Sequence, residues 1–165
     1  NGAADDTPAA STAAAAIVTR GTVHDENAAA GDGVTGHAGL FSTADDLAVF
    51  ATELLRAWHG ESQLFPRDLA RRFFTRRELV PGSSRALGWD TPSGLSSAGT
   101  LLGPRSFGHT GFTGTSMWID PERGLYVILL TNRVNPTREN GKIAQVRRKL
   151  ADAAVLCFEG KLRRL

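Results

Sequence analysis

The sequence predicts an α+β fold, an antiparallel β-sheet flanked by helices, and three observations carry that expectation. Residues 115–131 run with two-residue periodicity and then as a continuous apolar stretch across a turn, which reads as a hairpin. Apolar residues recur at helical spacing before it, at about 43–58, and after it, at about 138–158. Helices and strands therefore sit in separate blocks of the chain instead of alternating, the order typical of α+β folds.

The elements follow in order. Residues 1–16, NGAADDTPAASTAAAA, are low in complexity and read as a flexible lead-in, or as a cut edge of something larger, before a globular part over 17–165. Ser42-Thr43-Ala44-Asp45-Asp46 signals a helix start, with an acidic side chain three residues beyond the hydroxyl. Leu47, Phe50, Ala51, Leu54 and Trp58 then predict one buried helical face. Pro66 suits a first helical position, and Phe65, Leu69 and Phe73 predict the buried face of a short second helix. Residues 79–104, rich in Gly, Ser and Pro, read as loop, with Leu87-Gly88-Trp89-Asp90 as a short strand. Thr115, Met117 and Ile119 alternate with Ser116 and Trp118 on the next strand. Asp120-Pro121-Glu122-Arg123-Gly124 is a turn, and Leu125–Thr131 reads as a central strand covered on both faces. The strand carrying His109 is expected to pair beside the hairpin. Ile143, Val146, Leu150, Ala153, Ala154 and Cys157 predict the buried face of the last helix.

Composition narrows the function classes. Apolar residues make up 41% and charged residues 22%, as in ordinary globular domains. No apolar run approaches the ~18 residues of a membrane span. The single cysteine, Cys157, excludes an internal disulfide and leaves the compartment open between exported and cytoplasmic. Sixteen arginines face three lysines, but they are scattered through the chain, which argues for solvated helix faces and against nucleic-acid binding.

Standard sites fail on their spacing. Gly141-Lys142 and Gly160-Lys161 lack the first glycine of a phosphate loop. Gly31-Asp-Gly-Val-Thr-Gly36 follows an alanine run instead of a strand, and Gly94-Leu-Ser96-Ser-Ala98 misses the last glycine of a nucleophile elbow. His24, Asp25 and His37 have a weak metal-ligand spacing, so no metal is expected there, and the failed glycine patterns leave no organic cofactor expected either. Two stretches stand out. His109-Thr110-Gly111 puts an imidazole and a hydroxyl on a strand whose glycines, at 108, 111 and 114, invite close approach to the backbone. Residues 21–47 mass His24, Asp25, Asn27 and His37 among five glycines just before a helix, which marks either a site or an ordinary surface loop with self-bonded Asp25 and Asn27.

VHDENA (23–28), GHAGLFSTADDLAVF (36–50), LGWD (87–90) and FGHTGFTGTSMWIDPERGLYVILLTNRVNPTREN (107–140) together resemble the C-terminal half of the serine β-lactamase and penicillin-binding-protein hydrolases. The nearest branch is the class C-like one, which includes esterases and D-amino-acid peptidases. The resemblance implies a small-molecule or peptide substrate. It implies that His109-Thr110-Gly111 is the family's Lys/His-Thr/Ser-Gly box at the edge of an active site. It also implies that Phe112 gives its backbone N–H to an oxyanion hole, that Thr110 bonds substrate or the catalytic network, and that His24, Asp25, Asn27 and His37 lie near the pocket. Histidine in place of lysine argues against a strict demand for an anionic substrate, since a free imidazole is mostly neutral at pH 7.

The family's nucleophile box, Ser-x-x-Lys, and its Tyr/Ser-x-Asn box are not found. Glu139, Val146 and Phe158 stand three residues before the lysines, and Tyr126 is followed two on by Ile128. The expectation is therefore a C-terminal portion of a longer hydrolase, inactive alone and incomplete in its fold, with exposed apolar surface. The alternatives are a partner chain supplying the serine, or a non-catalytic binding module.

Overall fold

The computed structural model of the chain describes residues 20–161. The expected lead-in over 1–16 lies outside them. Four helices, α1 (Glu26–Ala30), α2 (Ala44–His59), α3 (Arg67–Phe74) and α4 (Ile143–Phe158), accompany three strands, β1 (Phe107–Thr110), β2 (Ser116–Asp120) and β3 (Leu125–Leu129). The strands form one antiparallel sheet in the order β1-β2-β3. The α+β expectation holds.

Side-chain alternation splits the interior into two cores. Phe107 pairs with Ile119, and Ile119 with Tyr126, so these point to one face, where they meet Ala51, Leu54, Ala57 and Trp58 of α2 and Ala70 and Phe74 of α3. Phe107, Phe74 and Trp89 pack ring on ring there, with centroids 4.1 to 5.7 Å apart. Trp118 points to the opposite face and packs with Ala98, Leu102, Ala151 and Val155 beneath α4. Trp118 is thus buried in the second core, and Trp89 packs half-buried against the first.

Helix α2 starts as its sequence dictates. The Thr43 hydroxyl accepts the Asp46 N–H at 3.1 Å, and Gly60 ends the helix in the left-handed conformation at φ 83°. His59, its last residue, lies 3.0 Å from the Pro121 carbonyl through Nε2.

Five sequence expectations need correction. β3 is an edge strand of the described sheet, half-buried along its length, and β2 is the central strand. Helices do approach β3 from both faces, but an apolar run reports side chains and not strand neighbours. Leu87–Asp90 forms no strand. A tight turn, with the Ala86 N–H on the Trp89 carbonyl at 2.9 Å, leaves Asp90 alone to pair with Gly108 on the outer edge of β1. Phe65, Leu69 and Phe73 stand exposed, and α3 buries Ala70 and Phe74 instead. Helix α4 buries Ala151 and Val155, with Val146 and Cys157 exposed, because its inner face also carries two polar side chains with carbonyl and N–H partners. One of these, Asp152, accepts the N–H groups of Thr100 and Leu101 at 2.6 and 2.9 Å. Phe50 of α2 is likewise exposed, and with Val49, Leu64, Phe65 and Tyr126 it lines an open groove between α2 and β3.

Candidate active site

β1 is short because its sequence changes character at Gly111. Gly108, mid-strand, faces Trp118, and a Cβ there would run into the indole ring and the Met117 carbonyl. After Thr110 the chain turns through Gly111-Phe112-Thr113-Gly114 and re-enters the sheet at Ser116. A Cβ on Gly111 would overlap the Thr115 hydroxyl, which would have to rotate away. The Cβ direction of Gly111 is thus filled by Thr115.

Every carbonyl of the turn is engaged. Gly111 O accepts from Arg147 Nη2 at 2.6 Å and from the Gly114 N–H at 3.2 Å. Phe112 O accepts from Arg133 Nε at 2.7 Å, and Thr113 O from the Arg133 N–H at 2.8 Å. Gly114 O accepts from the Thr131 hydroxyl at 2.6 Å. Thr115 O accepts from the Gly111 N–H at 2.8 Å and from Arg147 Nη2 at 2.6 Å. By contrast, the N–H groups of Phe112, Thr113 and Thr115 donate to no acceptor among the described residues. A turn held by its carbonyls and offering free N–H groups is suited to receive an anionic oxygen.

His109 is exposed on β1, one residue before the partly buried Thr110. Its Nε2 lies 3.2 Å from Arg85 Nη1, and its Nδ1 lies 2.9 Å from the Thr110 carbonyl. A guanidinium can only donate and a carbonyl can only accept, so these contacts fit a ring protonated at Nδ1 and accepting at Nε2. The loop ending at Asp90 sets Arg85 there, because Arg85 and Asp90 pair with each other and Asp90 pairs with Gly108.

The 23–37 region reaches this turn in part. The His24 ring stacks on Phe112 with centroids 5.7 Å apart, and Arg133 covers the Phe112 ring at 4.1 Å. Asp25 caps the short helix α1 by accepting the Ala28 N–H at 2.8 Å, and its Oδ1 also meets His37 Nε2 at 3.0 Å. The Ala28 N–H and then His37 hold the Asp25 carboxyl below its usual pKa. Arg138, paired with Glu26, holds that carboxyl low as well and ties α1 to the loop after β3. Asn27 is exposed at the helix surface. The predicted cluster thus divides: His24 joins the turn, Asp25 and His37 pair with each other, and Asn27 stands apart. Among the described residues no group of three His, Cys, Asp or Glu side chains could hold a metal ion.

Sequence reasoning missed the arginines. Arg85, Arg133 and Arg147 all touch the box or its turn, and no carboxylate pairs with any of the three among the described residues. Arg133, two residues after the apolar run, was the legible one, since a hairpin brings that position back beside the glycine turn.

The beta-lactamase family model matches residues 2–152. The chain belongs to the beta-lactamase family. As a member, it is 37% identical over 118 residues to a provisionally named D-alanyl-D-alanine carboxypeptidase of Escherichia coli K12, covering 68% of this chain and 27% of that protein. It is 41% identical over 120 residues to an N-acetylmuramyl-L-alanine amidase of Bacillus subtilis, covering 69% and 26%. This beta-lactamase-family chain therefore spans about a quarter of the length of the curated relatives it matches. The crystal structure of a beta-lactamase from Mycobacterium bovis shares its fold, with a TM-score of 0.58 at 23% identity, over 73% of this chain and 46% of that one.

Proposed function

We propose that residues 105–140 form one wall of the active site of a serine hydrolase that works through an acyl-enzyme. The observation that carries this reading is the unpaired Phe112 N–H directly after His109-Thr110-Gly111, on a turn whose carbonyls are all bound elsewhere. In this reading a serine hydroxyl adds to the substrate carbonyl and the oxygen becomes an oxyanion facing the Phe112 N–H. The C–O or C–N bond then breaks, and the leaving group departs with the proton that the serine gave up. Water repeats the addition, frees the acid and restores the serine.

No Ser-x-x-Lys lies within the 165 residues. The nucleophile in this reading therefore comes from residues outside them, and these residues alone do not turn over. Substrates are esters, amides or D-amino-acid peptides. Arg85 favours the peptide class, and so do the names of the relatives. Its guanidinium, 3.2 Å from His109, supplies beside the box the positive charge that histidine does not carry when neutral. This offsets the argument against anionic substrates drawn from His109 alone.

The test is acylation of the natural protein containing this chain by a fluorophosphonate probe, followed by peptide mapping. Label on a serine outside residues 1–165 is expected. Absence of label, with binding of a D-Ala-D-Ala peptide retained, would replace the hydrolase by the non-catalytic binding module.

A further inference from the structure

The smaller core is closed by α4, and one side chain of that helix leaves it for the active-site turn. Arg147 crosses from α4 so that a single nitrogen, Nη2, donates to Gly111 O and Thr115 O, both at 2.6 Å. Its Nε is buried without a partner, and no described carboxylate neutralises it. Burial, and then the charge of Arg133, hold its pKa below the usual arginine value. A brace for two carbonyls needs no charge, and an unpaired charge is costly to bury.

We infer that Arg147 is a positioning residue that aims the Phe112 N–H at the reacting oxygen by gripping the far side of the same peptide group. The peptide joining Gly111 and Phe112 is not among the cis bonds of the chain, so its C=O and N–H point in opposite directions within one plane. Anchoring the carbonyl toward α4 therefore turns the N–H toward the opposite side, away from the helix. A cationic donor on the carbonyl also polarises the amide, which makes its N–H the stronger donor. Arg133 cannot substitute, because it holds the next carbonyl, Phe112 O, which belongs to a different peptide plane. This inference rests on the reading of Phe112 as the oxyanion donor.

The experiment compares an activated ester with its thionoester in the natural protein that contains this chain, for wild type, Arg147→Met and Arg147→Lys. Sulfur accepts hydrogen bonds poorly, so the oxygen-to-sulfur ratio of kcat/KM reports the aimed N–H and is insensitive to the fraction of folded enzyme. A wild-type ratio of about 10² is expected, from the usual loss of one oxyanion donor. Arg147→Met should lower that ratio at least about tenfold, mainly through kcat, and Arg147→Lys should fall between the two. A wild-type ratio near one overturns the oxyanion reading, and the inference with it. A high wild-type ratio that Arg147→Met leaves intact overturns the inference alone.

Discussion

Asp120 offers the sharpest test of how the sheet is held. It ends β2 with no exposed surface, and its carboxylate accepts four hydrogen bonds. Oδ2 takes the Gly103 N–H at 2.9 Å and Arg123 Nη1 at 2.7 Å, and Oδ1 takes the N–H groups of Glu122 and Arg123 at 3.1 and 3.3 Å. Asp120→Ala removes all four acceptors at once. Breaking a buried ion pair by deleting one partner costs about 3–5 kcal/mol. The lower end applies here, because Arg123 keeps Glu159 at 3.0 Å and is itself partly exposed, so its charge is not stranded. The remaining cost falls on the Gly103 N–H, which is buried and loses its acceptor. About 3 kcal/mol corresponds to roughly 6–12 °C in Tm for a chain of this size. Urea unfolding followed by tryptophan fluorescence measures it, with Trp118 at 2% exposure as a reporter in the same strand. A loss below about 0.5 kcal/mol would refute the view that this carboxylate closes the hairpin and fastens the 100–105 loop to it.

Gly108→Ala should cost about 1–3 kcal/mol by overpacking, since the added methyl meets the buried Trp118 ring, and a melt coincident with wild type would contradict that contact. His109→Ala in the natural protein should lower kcat/KM about tenfold, the loss of one hydrogen bond that positions Arg85, while Tm stays within about 2 °C because the ring is exposed. The opposite pattern, intact turnover with a large drop in Tm, would remove His109 from the site. Asp25 and Glu26 have depressed folded pKa values, so their contribution is complete above the ordinary values of 3.8 and 4.5 and disappears as pH falls through the folded ones. The Ala28 amide shift should accordingly titrate with a midpoint below 3.8; a midpoint above it would mean that the cap and the His37 contact do not hold in solution.

What the sequence revealed follows from what its patterns encode. The cap at Thr43 and Asp46 is a local hydrogen bond, so it could be read from four residues, as could the alternation that builds β2. The faces of α3 and α4 could not. Their packed positions hold alanines, together with Phe74 and Val155, while larger apolar side chains such as Phe65, Leu69 and Val146 point outward; hydropathy counting rewards the wrong stripe. Helix α1, five residues among glycines and acids, is too short to show a period. Within the site, His109, Thr110, Gly111 and Phe112 were legible as a motif; of the arginines only Arg133 left a signal, its place two residues past the apolar run, while Arg85 in its loop and Arg147 on α4 left none. An arginine resembles any solvated charge until the fold brings carbonyls or a ring within its reach.

The two cores share only the sheet between them, and on β2 the adjacent residues Trp118 and Ile119 face opposite ways. The α4 core is the smaller, with five buried residues against eight. Lifting α4 exposes less apolar surface than global unfolding does, so that helix can open as a unit while β1 and the α2 layer stay folded. Arg147 and Asp152 leave with it. The precision of the turn at Gly111 is thus set by the breathing of a helix on the opposite side of the sheet from α2, and a substitution deep in that helix, at Ala151 or Val155, would loosen the turn without touching it.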